Sequence, residues 1–218
     1  MLYEKERETI ISTCRLMQGL GYFLGTWGNI SIRINNHIVL TPSRVDYDTM
    51  KPEDMVIIDL SGNIIEGYRN PTSEKEVHRQ IYLVRDDVKA IIHAHTPKAM
   101  AVSATYIDEV PCIVEEMSQL LGGSIPLTMD YVQAKEHEEL GLAAAAVIGV
   151  KNGVILRNHG PVSCGRTIEE AILVTNVIEK ACDIYLSIQR DNQVVRIPDF
   201  YVESERHRFL YNYGKEKT

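Results

Sequence analysis

Apolar positions along the chain change period several times, and each change marks an element. Residues Glu4 to Gln18 repeat at helical spacing, with Ile10, Ile11, Cys14 and Met17 on one face, and Gly19 and Gly21 end the helix. "GNISIRI" alternates apolar and polar residues, as a half-buried strand does. "HIVLT" is a second strand, and Asn35-Asn36 between the two predicts a hairpin turn. "MVIIDL" and "NIIE" form another hairpin around Ser61-Gly62. Ser73 with Glu76 fits a capping box, making Ser73 the N-cap and Glu74 the first residue of a helix that carries Val77, Ile81 and Val84. "AIIHAH" and "GVILRNHG" read as further strands. Thr167 with Glu170 is a second capping box, opening a helix to about Ile188 with Ala171, Val174, Ile178 and Ala181 facing inward. The pattern predicts a single α/β domain over residues 1–218, with a mixed, mostly antiparallel sheet sandwiched between helices and a C-terminal tail from about residue 190.

A length of 218 residues suits one large domain with a real core. "MLYEKERETI" is too charged for a signal peptide, and the apolar run "GLAAAAVIGV" is too short to span a bilayer. A cytoplasmic protein without a membrane partner is expected. A formal charge of −7 argues against a nucleic-acid partner, which needs a basic footprint, but leaves room for a small anionic ligand. Cys14, Cys112, Cys164 and Cys182 are scattered, with no C-x-x-C pair, and are expected as core thiols.

Histidine placement changes the picture. Residues i and i+2 of a strand share a face, so "KAIIHAHT" presents His93 and His95 side by side. Alone, the pair leaves a structural role open. His159, in "LRNHGP", is a natural third ligand for a three-histidine zinc site. His37 by a turn, His137 on a charge-rich helix and His207 in a basic segment read as bland. His78 is expected as a surface i,i+4 partner of Glu74.

"NPTSEKEVH" places Glu74, Thr72 and Ser73 at a helix start, where backbone N–H groups favour anions. "GNIS" and "TPSR" add an amide and hydroxyls. Individually these read as turns and caps; several such loops beside a candidate metal point to a binding site.

In order along the chain, "GTWGNISIR", "LTPSRVDYDTM", "NPTSEKEVHRQIY", "AIIHAHTPKA" and "LRNHGPV" resemble class II aldolases of the L-fuculose-1-phosphate type, in the aldolase/epimerase/adducin-head superfamily, from about residue 5 to 190. The resemblance implies that His93, His95 and His159 bind one zinc ion per subunit, with manganese or cobalt as substitutes. Glu74 would ligate the metal and act as acid/base. Gly28, Asn29, Ser43, Thr72 and Ser73 match phosphate-binding positions. Tyr131 looks like a tyrosine acting from a neighbouring subunit, and Tyr213 like a C-terminal tyrosine that helps close the site. A homotetramer with sites between subunits is also implied. Arg44 stands where the family loop carries glycine; its fork of donors could bind the phosphate of a sugar directly, or it could equally narrow the pocket or mark a different acidic substrate.

The implied reaction is retro-aldol cleavage of a ketose 1-phosphate to dihydroxyacetone phosphate and an aldehyde such as L-lactaldehyde, with the metal as Lewis acid. The epimerase branch carries aspartate where this chain has Glu74. Arg44 leaves sugar-phosphate decarboxylases and dehydratases as alternatives. An adducin-like interaction module would be expected to lose the metal ligands, which are all retained here.

Overall fold

The computed structural model describes residues 1–189 and 194–213. Its centre is a seven-stranded antiparallel sheet in the order β4-β3-β2-β1-β5-β9-β8. The strands are β1 (Asn29–Ile34), β2 (His37–Leu40), β3 (Val56–Asp59), β4 (Ile64–Glu66), β5 (Ala90–His93), β8 (Gly153–Ile155) and β9 (Pro161–Gly165). A small pair, β6 (Glu109–Val110) with β7 (Ile125–Pro126), forms a separate sheet that a bridge between Leu127 and Ile155 joins to β8. Both expected hairpins are present, and Asn35 takes the left-handed conformation that a tight two-residue turn requires.

Strand alternation sorts the core into layers. One face of the sheet packs Ile30, Val39, Ile57 and Ile92 against Ile10, Cys14 and Met17 of α1 (Glu4–Gly19) and the start of α5 (Ile168–Ile188). The other face packs Ile38, Leu40, Ile58, Ile91 and Val162 against α2 (Lys75–Val84) and α4 (His137–Ile148). A third cluster joins α3 (Pro97–Ser103), α5 and α6 (Asp199–Tyr211) around Ile125 and Ile155. The sandwich expected from the sequence is therefore present. All four cysteines are buried thiols, and burial pushes Cys164 up to about 12. Among the described residues, no helix is long and apolar enough to cross a membrane.

Three local expectations are corrected. The capping box at Ser73 does not form: α2 begins at Lys75 behind Glu74, Ser73 is exposed, and Glu76 bonds Arg79. His95 lies beyond β5, in an extended exit held by Ala94 N–H to the Pro161 carbonyl and His95 N–H to the Tyr22 carbonyl. His78 is fully buried rather than on the surface. Within the expected C-terminal tail, α6 buries Val202 and its Arg206 donates to the Leu120 carbonyl. The expected boundary at residue 190 lies outside the described residues. At α5 half of the expected box forms: Thr167 accepts from Glu170 N–H, but the Glu170 carboxylate accepts from Arg166 N–H rather than from Thr167 N–H.

Candidate active site

The site forms where β1 begins and β5 ends, beside the start of α2. His93 is the last residue of β5 and is completely buried. His95 follows in the exit segment. His159 sits in the turn between β8 and β9, where Asn158 is left-handed and Gly160 packs so closely on Ala94 that a Cβ would overlap its carbonyl oxygen. The three imidazoles thus reach one point from two segments, the end of β5 with its exit and the β8–β9 turn. Their ligand atoms all lie within 4.8 Å of one another.

Glu74 completes the cluster. Its Oε1 is 3.1 Å from His159 Nε2 and its Oε2 is 3.4 Å from His93 Nε2, while the Nε2 atoms of His93 and His95 are 3.2 Å apart. Tetrahedral ligands at about 2.0–2.1 Å from a zinc-like ion are separated by roughly 3.3 Å. The donor set and its spacing therefore fit a divalent cation. His93 Nδ1 lies 3.0 Å from the Pro161 carbonyl oxygen. That bond places the ring proton on Nδ1 and leaves Nε2 free to ligate.

Protonation agrees. Burial works to raise the Glu74 carboxyl, but the facing His93 and His159 imidazoles and the Asn29 amide outweigh it and hold it well below the usual carboxylate range. Burial pushes His93 down to about 3 against the attraction of Glu74, and burial also lowers His95. Burial thus favours neutral rings at His93 and His95, while Glu74 stays ionised. The 2.6 Å bond from Asn29 Nδ2 to Glu74 Oε2 also favours that charge. Neutral imidazole and ionised carboxylate are the forms that bind metal.

A cavity of about 750 Å³ opens over this cluster, lined by Gly28, Asn29, Ser43, Arg44, Thr72, Ser73, Glu74, His95 and His159 among others. All six expected phosphate-site residues therefore border it. An isolated bridge between Pro42 and Pro71 ties the two donor loops together. Gly28 is present for packing: Tyr47 takes both its N–H and its carbonyl, and a Cβ would run into the Phe23 ring. Arg44 is exposed and has a φ of 59°, the left-handed region that favours glycine. Tyr131 and Tyr213 are exposed and do not line this cavity; Tyr213 instead stacks on Phe209. Sequence reading passed over Trp27, the only tryptophan, which lines the cavity with its ring centroid 6.2 Å from that of His95. It placed His78 one helical turn from Glu74 but read the pair as lying on the surface.

Comparison with known proteins gives the same direction. Residues 8–186 match the family described as Class II Aldolase and Adducin N-terminal domain. The chain is 34% identical to a 5-deoxy-D-ribulose 1-phosphate aldolase of Bacillus thuringiensis serovar kurstaki, covering 99% of this chain and 100% of that protein. It is 34% identical to an L-fuculose phosphate aldolase of Methanococcus maripaludis over 80% of this chain and 92% of that one. A solved L-fuculose 1-phosphate aldolase superposes with a TM-score of 0.90 at 27% identity, covering 97% and 99% of the two chains. The chain belongs to the class II aldolase and adducin N-terminal domain family, and within it to the aldolases, which are aldehyde-lyases.

Proposed function

We propose that this enzyme cleaves a deoxyketose 1-phosphate between C3 and C4, releasing dihydroxyacetone phosphate and a short aldehyde. The observation that carries this reading is the convergence of His93, His95, His159 and Glu74 beneath a cavity edged by hydroxyl, amide and guanidinium donors. The two relatives named for 5-deoxy-D-ribulose 1-phosphate and L-fuculose phosphate share the phosphorylated three-carbon half of the substrate. They differ in the aldehyde half, which would be acetaldehyde or L-lactaldehyde.

The three histidines and Glu74 would hold one divalent cation, zinc with manganese or cobalt as substitutes. Such an ion supplies Lewis-acid stabilisation of the negative charge that C3–C4 scission leaves beside the carbonyl. The chain's own residues do the rest. Asn29, Ser43, Thr72 and Ser73 bind and orient the phosphate, with Arg44 contributing charge at the mouth. Glu74 moves the proton at C3. Tyr131 handles the proton on the C4 oxygen and Tyr213 helps close the site; neither lines the cavity of its own chain, so both are assigned to sites between subunits of a homotetramer. The enzyme is assigned to the cytoplasm.

A substrate panel tests this reading. Ketose 1-phosphates, ketose 5-phosphates and 3-oxo acid phosphates are incubated with zinc-loaded protein, and dihydroxyacetone phosphate is measured. Release from ketose 1-phosphates alone is expected; turnover of only the 5-phosphates or the oxo acids overturns it.

A further inference from the structure

Asn29 and Ser31 occupy alternate positions of β1, while Glu74, His78 and Tyr82 recur every fourth residue at and along α2. Two strand residues advance about 6.7 Å. Four helical residues advance about 6 Å. The two rows therefore stay in step, and hydrogen bonds join them. Asn29 Nδ2 is 2.6 Å from Glu74 Oε2, and His78 Nε2 is 2.6 Å from Asn29 Oδ1. Ser31 Oγ is 2.7 Å from His78 Nδ1 and 2.9 Å from the Tyr82 hydroxyl. Asn29, Ser31, His78 and Tyr82 are all buried from solvent.

Donor counting gives this ladder one direction. An ionised Glu74 only accepts, so the amide nitrogen of Asn29 faces it. The amide oxygen then faces His78, which must offer Nε2–H. A neutral imidazole has one N–H, so Nδ1 accepts the Ser31 hydroxyl proton. Ser31 has no second proton, so Tyr82 donates to it, to the hydroxyl at 2.9 Å or the carbonyl at 3.2 Å. Burial pushes His78 down to about 4 against the attraction of Glu74, which agrees with a neutral ring.

We propose that His78, as its Nε2–H tautomer, is a positioning residue that locks the Asn29 amide nitrogen toward Glu74, committing Oε2 and presenting Oε1 to the reacting centre. This rests on Glu74 being the acid/base. The opposite tautomer would turn the amide over and set its oxygen against a carboxylate oxygen at hydrogen-bond distance. A side chain without the donor would leave the amide free to rotate.

Nitrogen-15 NMR of histidine-labelled wild-type protein reads the tautomer directly at neutral pH, with the His78 signals assigned by their loss in His78→Gln. A neutral ring protonated at Nε2 is expected; an Nδ1–H tautomer or a charged ring overturns the proposal. Kinetics supply the second arm. His78→Leu keeps bulk without a donor, and is expected to lower kcat by about 10–100-fold with KM changed less than about twofold. His78→Gln places an amide N–H where Nε2 stood and is expected to recover most of that loss. Unchanged kcat in His78→Leu, or equal loss in both variants, overturns it. Should His78→Leu fail to fold, the wild-type tautomer decides. Undiminished turnover in Glu74→Gln with the Nε2–H tautomer present would instead break the reading of Glu74 and leave the ladder standing.

Discussion

Asn29 and His93 stand directly opposite one another across the antiparallel β1–β5 pair. One cross-strand position thus supplies both the amide that holds Glu74 and a metal-ligating imidazole. A slip of one residue in this register would put the two side chains on opposite faces of the sheet. The register of the sheet core, set by Ile30 against Ile92 and Ser31 against Ile91, therefore fixes the site before any loop does.

Metal removal should destabilise the fold as well as abolish turnover. A ligand at a thousandfold excess over its Kd stabilises by about 4 kcal/mol. At roughly 2–4 °C per kcal/mol for a chain of this size, chelation should lower Tm by on the order of 10 °C. Calorimetry with and without chelator measures this. His159→Ala should show the lower Tm from the start and no response to added zinc.

Gly160→Ala should damage the metal centre without touching a ligand. The added Cβ would overlap the carbonyl oxygen of Ala94, the residue between His93 and His95, and would lie 3.6 Å from the His93 ring. Overpacking of this kind costs on the order of 1–3 kcal/mol. Bound metal per chain should fall below that of the wild type, and equal occupancy in both proteins would contradict the assigned packing role.

Arg44→Gly separates binding from stability. Glycine accepts a φ of 59° without the strain a side chain carries there, so Tm should hold or rise slightly. Loss of the guanidinium should raise KM for the ketose 1-phosphate by about tenfold, the scale of one charge-assisted contact, with kcat nearly unchanged. An unchanged KM would remove Arg44 from the phosphate site.

Acid should release one buried pairing. Burial raises the Asp54 carboxyl, but bonds from Tyr68, the Lys51 N–H and Arg69 outweigh it and hold it below its ordinary value. Its folded pKa lies below its unfolded one, near 3.9. The contribution to stability is therefore complete above that pH and is lost as pH falls through the folded value. The Tm gap between wild type and Asp54→Asn should be constant from pH 7 to about 5 and should narrow below about 4. A gap independent of pH would assign the loss to packing instead.

Much of this site was legible because its ligands sit on elements with a clean period. Alternation in "GNISIRI" and the short run "AIIH" placed Asn29 and His93, and the N-H-G turn marked His159. What failed had physical causes. Ser73 looked like a cap by spacing alone, yet the loop bridge at Pro71 carries the chain one residue further before the helix starts. His78 looked solvated because its neighbours Glu74, Lys75 and Glu76 are charged, but its partners Ser31 and Asn29 are remote in sequence. β9, buried along its whole length, shows no alternation to read. α6 docks through Arg206 to backbone carbonyls more than through an apolar stripe, so its pattern looked mixed.

The most direct test compares wild type and Glu74→Gln, each analysed for zinc content, for release of dihydroxyacetone phosphate from 5-deoxy-D-ribulose 1-phosphate and L-fuculose 1-phosphate. Wild type should carry one metal ion per chain and release one dihydroxyacetone phosphate per ketose consumed. Glu74→Gln should lose about 10²–10⁴-fold in kcat, the usual range for a general acid/base. No release by the metal-loaded wild type, or undiminished release by Glu74→Gln, would contradict the proposed chemistry.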